Sequence, residues 1–154
     1  MTHPDESPLE VRFKRLPGNP DLALPERATT GAAGHDIRSA ETEVILEPGV
    51  PRAVRTGLAV EISSGIECQV RPRSGLALRR AVIVANAPGT IDSDYRGEVK
   101  VILLNLGREP VRIARGERIA QLVFARYEAP RVTEVTEISD TERGVGGFGS
   151  TGRD

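Results

Sequence analysis

The sequence is short of several things, and each shortage excludes something. Cys68 is the only cysteine, which rules out an intrachain disulfide and a sulfur-ligated zinc site. There is no tryptophan, and aromatic residues make up 3% of the chain, so large rings cannot dominate a core. No apolar run approaches the roughly 20 residues that cross a bilayer. Residues Met1 to Glu10 are polar and carry no apolar signal-peptide core. The expectation is a soluble, cytoplasmic protein with no membrane partner. The formal net charge is -1, without the basic excess of a nucleic-acid binder, so no nucleic-acid partner is expected. Lysine is almost missing, with only Lys14 and Lys100; the other basic residues are arginines. Compositional bias accounts for the arginine total, yet a few placed arginines can grip phosphate with two parallel bonds where lysine cannot.

What is present has the period of strands. Leu9, Val11 and Phe13 alternate with Glu10, Arg12 and Lys14. The same alternation runs through Leu58, Val60 and Ile62, through Ile66, Cys68 and Val70, through Val99, Val101 and Leu103, and through Val111 and Ile113. Pro17-Gly18, Pro48-Gly49, Ser64-Gly65, Pro88-Gly89 and Arg115-Gly116 punctuate these runs as turns. Many short strands at close spacing predict an all-β sandwich or barrel in one domain, and 154 residues are enough to bury a real core. Helix is predicted only over Ser74 to Arg80. Val82-Ile83-Val84 and Val101 to Leu104 are apolar on both faces, which predicts strands covered on both sides, by the domain's own core or by another subunit. From Glu142 the chain turns glycine-rich, with one aromatic and two hydroxyls. Such a segment cannot pack a core. The expected organisation is one domain over 1–141 and a mobile arm over 142–154.

Five segments carry candidate chemistry. Ala28 to Ile37 is a Gly/Ala-rich turn that ends on an acid, Asp36. Pro72-Arg73-Ser74-Gly75-Leu76-Ala77 opens the predicted helix, and a helix start offers free N–H groups to an anion beside a guanidinium and a hydroxyl. Simple capping by Ser74 is the bland alternative. Asn86 to Glu98 lies between two apolar strands and reads as a hairpin, whose backbone ends can read the edge of a base. Within it Asp92 is a candidate general base and Tyr95 a floor for a sugar. In Gly116 to Phe124, Gln121 stands in an apolar strand. Burying an unpaired amide is costly, so Gln121 is either on an exposed edge or has a job. The last segment, Arg143 to Gly152, matches GxGxxG by letter, but too few residues follow to form the required helix, so the dinucleotide reading fails. A flexible glycine loop remains, with Arg143, Ser150 and Thr151 able to wrap phosphate oxygens.

In their order and spacing these five segments resemble the five motifs of the trimeric, all-β deoxyuridine triphosphatase (dUTPase) family, from about Ala28 to Gly152. PRSGLA, GTIDSDYRGE, RIAQL and RGVGGFGSTG in one short chain carry the resemblance. It implies a jelly-roll-like β barrel and a homotrimer whose sites lie between subunits, each arm crossing to a neighbour's site. It implies hydrolysis of dUTP to dUMP and pyrophosphate with Mg²⁺, which limits uracil incorporation into DNA and supplies dUMP for thymidylate synthesis. Asp92 matches the acid that holds the deoxyribose 3′-OH and activates water, and Tyr95 the ring that excludes a 2′-OH. Asn86, with Thr90 and Ile91 of the hairpin, matches the part that reads uracil, and Lys100 joins the substrate-binding set. Arg73, Ser74 and Gly75 match the phosphate loop, and Gln121 a phosphate contact counted with the catalytic pair. Asp36 matches the acid near the metal's water shell, the Mg²⁺ being held mainly by phosphates. Arg143, Phe148, Gly149, Ser150 and Thr151 match the arm, with Phe148 stacking on uracil. Three positions depart from the family's usual residues: His35 for Tyr, Ala81 for Gly and Ala87 for Ser. None removes a group the chemistry needs.

Two other readings are weaker. The dCTP deaminases share the implied fold but carry a catalytic Glu on the strand after the hairpin, where this chain has Ile102. Ile cannot move protons at a cytosine ring. A non-catalytic dUTP-binding regulator would not need Asp92, and a purely structural jelly roll leaves the five loops unexplained.

Overall fold

A computed structural model of the chain describes residues 9–148. The element order is β1 (Val11–Arg15), β2 (Glu26–Arg27), β3 (His35–Arg38), β4 (Glu43–Leu46), β5 (Arg52–Ile62), β6 (Ile66–Arg71), α1 (Ser74–Arg80), β7 (Val82–Val84), β8 (Gly89–Ile91), β9 (Glu98–Asn105), β10 (Val111–Ala114) and β11 (Arg118–Arg126). The strands form three sheets, ordered β1-β5-β9-β7, β10-β4 and β2-β3-β11-β6-β8. The fold is all-β with one short helix, and that helix has the bounds the sequence predicts.

The alternation seen in sequence becomes one buried face per strand. Val54, Val99, Val101 and Leu103 come from the first sheet, Val44, Leu46 and Ile113 from the second, and Ile37, Cys68, Val70 and Leu122 from the third; all join one core. Each aliphatic side chain of this kind contributes roughly 1.5–3 kcal/mol when fully buried. Cys68 lies within this core, where burial, with a smaller push from the Glu67 charge, raises its thiol to about 12. It is therefore a core residue and not a nucleophile.

A buried amide joins the sheets. Asn105 at the end of β9 donates through Nδ2 to Leu46 O at 2.9 Å and Glu109 O at 2.8 Å, and accepts from Gly107 N at 2.8 Å. Its side chain is fully paired, so its burial carries no desolvation penalty of the unpaired kind.

One sequence expectation changes in detail. The segment from Asn86 to Glu98 is not a closed hairpin. β7 and β9 are antiparallel neighbours, but between them β8 leaves for the other sheet and pairs with β6, Gln69 opposite Thr90 and Cys68 opposite Ile91. Gly89 permits this crossing, because a Cβ there would sit 3.1 Å from Asn86 Nδ2 and 3.3 Å from Val70 Cβ. The apolar strands β7 and β9 are covered on one face only within a single chain. Ile83 and Leu104 are half-buried and Ile102 is exposed, paired with an exposed Ala53.

α1 ends on Ala81 in the left-handed conformation, φ 54° and ψ 29°. A side chain there costs roughly 1–2 kcal/mol, and glycine removes that cost while giving back part of it as unfolded-chain entropy. Ala81→Gly is expected to raise stability by about 0.5–1 kcal/mol and to leave activity unchanged. A melting midpoint equal to or below that of the parent would refute this.

Regular structure ends at Arg126. Tyr127 N still donates to Gly65 O at 3.2 Å, but residues 128–140 are exposed and in neither strand nor helix. The stretch without regular structure thus begins earlier than the sequence-drawn boundary at Thr141.

Candidate active site

Asp92 lies in the turn after β8, and its carbonyl accepts the Tyr95 N–H at 3.1 Å. Its side chain is exposed. Thr90, Ile91, Asp92, Tyr95, Lys100 and Ile102 line one hollow of about 400 Å³, with Ala53, Glu98 and Val99 completing the wall. Five sequence-predicted residues therefore meet in one place. Tyr95 is fixed rather than loose. Its hydroxyl donates to Glu98 O at 2.9 Å, and the ring lies against Gly97, where a Cβ would come within 2.4 Å of the hydroxyl oxygen. The Glu98 carboxylate is occupied elsewhere, accepting from Arg55 Nε at 3.1 Å and Gly57 N at 3.0 Å. It ties β9 to the bulge of β5, where Gly57 adopts φ +63°.

A second group gathers around β3, β6 and β11. Arg73 Nε donates to Asp36 Oδ1 at 2.9 Å, and Arg118 Nη1 to Asp36 Oδ2 at 3.0 Å. Asp36 and Gln121 are direct partners across β3 and β11. Gln121 Nε2 donates to Pro72 O at 3.0 Å, which pins the loop that leads to Arg73. β11 lies between β3 and β6, so Gln121 is not on an edge strand; it is a half-buried amide with a partner. Gln121, Pro72, Gln69, Arg71, Ala87 and Pro88 line a second hollow, also about 400 Å³. The two hollows share no lining residue.

Ser74 does not cap α1. The N-cap is Arg73, in extended conformation, with no side-chain capping bond, and its carbonyl accepts from Leu76 N and Ala77 N, both at 3.1 Å. The Ser74 side chain is exposed at the helix start, and Gly75 follows it with open space where a Cβ would be. Asn86 is exposed beside Gly89 and lines neither hollow. Arg143 donates to Gly146 O at 2.8 Å within its own turn, and Phe148 is fully exposed. Gly149, Ser150 and Thr151 lie outside the described residues.

The dUTPase family profile matches residues 21–152. The chain belongs to the dUTPase family. Among relatives of that family, the deoxyuridine 5′-triphosphate nucleotidohydrolase of Caulobacter vibrioides (strain NA1000 / CB15N) is 54% identical over 147 residues, covering 94% of this chain and 95% of that protein. The enzyme of the same name from Zymomonas mobilis subsp. mobilis is 54% identical over 144 residues, covering 94% of this chain and 98% of that protein. A mutant dUTPase of Staphylococcus bacteriophage 80alpha, solved with dUpNHpp, superposes with a TM-score of 0.83 at 30% identity, covering 94% of this chain and 99% of that one. A mutant dUTPase from phage phi11 of S. aureus, described as revealing the coordination of a structural Mg(II) ion, has a TM-score of 0.75 at 25% identity, covering 83% and 97%.

Within this dUTPase fold, the sequence reading passed over Arg118. Simple alternation puts Arg118 on the face opposite Gln121. A bulge in β11 lies between Arg118 and Ala120, Ile119 and Ala120 are both buried, and Arg118 turns outward to reach Asp36. The signal was Ile119-Ala120, two consecutive small or apolar residues that break the period of two.

Gly34 tests the placement of Gln121. A Cβ on Gly34 would stand 2.0 Å from Gln121 Oε1 and 3.3 Å from its Cβ, so Gln121 would have to leave Pro72. Gly34→Ala is expected to reduce kcat/KM for dUTP by about tenfold or more, close to the effect of Gln121→Ala. Unchanged kinetics in Gly34→Ala would separate Gln121 from substrate.

Proposed function

We propose that this chain is a dUTP diphosphatase that converts dUTP to dUMP and pyrophosphate. The observation that carries the reading is the meeting of Asp92, Tyr95, Thr90, Ile91 and Lys100 in one hollow of a dUTPase-family fold. Asp92, exposed and uncommitted to any ion pair among the described residues, is the general base that takes a proton from the attacking water and also accepts the sugar 3′-OH. Tyr95, held by Glu98 O, is the sugar's floor and leaves no room for a 2′-OH. Asn86, Thr90 and Ile91 read uracil, and Lys100 adds positive charge at the rim. Arg73, Ser74, Gly75 and Gln121 bind phosphates, and Arg143, Phe148, Gly149, Ser150 and Thr151 complete the enclosure from the arm. Such enclosure removes bulk water from the reacting phosphate.

Mg²⁺ fits this donor set. A small hard cation that keeps several waters and binds through substrate phosphates needs a nearby carboxylate, not a protein cage. Asp36 supplies that carboxylate beside Arg73. When bound, the cation neutralises charge developing on the phosphate oxygens.

The assembly proposed is a homotrimer with shared sites. Two features support it: the hollows around Asp92 and around Gln121 are separate within one chain, and β9 and β7 leave Ile102 exposed and Leu104 and Ile83 only half-buried. An apolar face of that kind suits a subunit interface. The arm over 142–154 is proposed to close on a neighbour's site. The proposed setting is cytoplasmic; among the described residues no helix is long and apolar enough to cross a membrane.

Cytosine deamination is disfavoured by the hollow itself. Ile102 lines it where deaminases carry their acid, and the one Glu in its wall, Glu98, is committed to Arg55 and Gly57. Pyrophosphate release measured across dUTP, dCTP, dTTP and UTP tests the assignment. dUTP should be turned over with strong preference and dCTP should yield no ammonia. Comparable rates on dTTP or UTP would overturn the specificity assigned to the hollow.

A further inference from the structure

Asp36 is a carboxylate divided between two cations. One oxygen takes Arg73 Nε at 2.9 Å and the other takes Arg118 Nη1 at 3.0 Å. The Asp36 side chain is 17% exposed and that of Arg73 25%, so water screens this pair only in part. Arg118 is the more open, and its main-chain oxygen also lies 3.5 Å from Arg73 Nη1. Arginine and carboxylate prefer to close on each other with two parallel bonds. Here each guanidinium reaches one Asp36 oxygen, a different one in each case, and neither closes a two-bond fork on it. Arg73 is thereby oriented by Asp36 without being consumed by it.

We propose that Arg118 is a positioning residue of the phosphate site, one that competes for Asp36 and so keeps the Arg73 guanidinium available to a nucleoside triphosphate. This rests on the reading of Arg73 as a phosphate contact. Two placements make the competition possible. Asp36 is held opposite Gln121 by the β3–β11 register, and the β11 bulge swings Arg118 onto the same outward face. The three side chains carry one net positive charge between them, directed at the polyanion. Without Arg118, Asp36 presents both oxygens to Arg73, the fork closes, and a phosphate must break that pair before it binds. The loss falls on binding, not on the proton transfer at Asp92.

The test is a double-mutant cycle with dUTP on the full-length chain in its native assembly, with kcat and KM read separately and wild type measured alongside. Arg118→Gln should raise KM by about tenfold with kcat within about threefold. Adding Asp36→Asn removes the group that captures Arg73, so the double variant should have a KM within about threefold of Asp36→Asn alone. Arg118→Lys, which retains a single-point contact with Asp36, should fall between wild type and Arg118→Gln. A merely structural Arg118 would lower the melting midpoint and give losses that add. Additive losses, or an unchanged KM in Arg118→Gln and Arg118→Lys, would overturn the proposal while leaving the diphosphatase reading intact. Absence of dUTP turnover in wild type would instead overturn that reading, and this inference with it.

Discussion

Replacing Asp92 by Asn is expected to lower dUTP turnover by about 10²-fold or more, the usual scale for loss of a positioned general base. The amide keeps the volume of the carboxylate and still offers an oxygen to a sugar hydroxyl. What it loses is the capacity to accept a proton from water. Because Asp92 is exposed and its backbone role, accepting from Tyr95 N, does not depend on the side chain, the fold should be indifferent, within about ±0.5 kcal/mol. Affinity for a non-hydrolysable dUTP analogue should stay within a few fold on the same grounds. Single-turnover pyrophosphate release and analogue titration on one preparation give both numbers. Turnover close to wild type would remove Asp92 from the base role, whereas a parallel collapse of binding would make it a substrate anchor instead.

Truncation after Thr141 should be nearly as damaging, by a different route. The deleted residues include Arg143 and Phe148, neither of which touches the folded sheets in the described structure. Melting temperature and oligomeric state should therefore hold, while activity falls by about 10²-fold, the scale of losing preorganised donors to a phosphate. The balance for closing the arm is fine. Stacking Phe148 on a base contributes roughly 1–3 kcal/mol, and ordering each residue costs about 1–2 kcal/mol, more where glycine is frequent. Closure should then need base and triphosphate together, and dUMP should leave the arm open. Refolding the truncated chain with the Asp92→Asn chain distinguishes shared from self-contained sites. In the proposed trimer with shared sites, mixed assemblies should regain activity, since some site then combines an intact base with an intact arm. Verified mixed trimers without activity would refute the crossing.

The strands were legible because their faces differ. Ile66, Cys68 and Val70 point to the core while Glu67, Gln69 and Arg71 do not, and that contrast is written in the order of the residues. α1 was legible as the short stretch between Pro72 and the apolar run that starts at Val82. The crossing of β8 was not, since Thr90 and Ile91 pair with β6, whose Gln69 and Cys68 lie some twenty positions away, and only a long-range register decides it. The site residues came largely from motif resemblance, yet two aspects needed coordinates. Gln121 looked anomalous in sequence, and its bond to Pro72 O shows why an amide sits there. Strict alternation puts Arg118 on the face of Ala120 and Leu122, and only the bulge turns it outward to Asp36.

The strand that precedes the tail, β11, is the middle strand of the larger sheet, bonded to β3 on one side and β6 on the other. Its last residues, Val123 to Arg126, pair with β6 alone, so the tail leaves from the one-sided end of that strand. Each residue beyond Arg126 adds at most roughly 3.3–3.6 Å of reach from that origin. In the proposed closure, the local concentration of Arg143 and Phe148 at the site they serve depends on tether length, falling as the tether outgrows its span. If the arm closes as proposed, residues added or removed in the exposed stretch over 128–140 change how often the site is closed without altering a contact in the core.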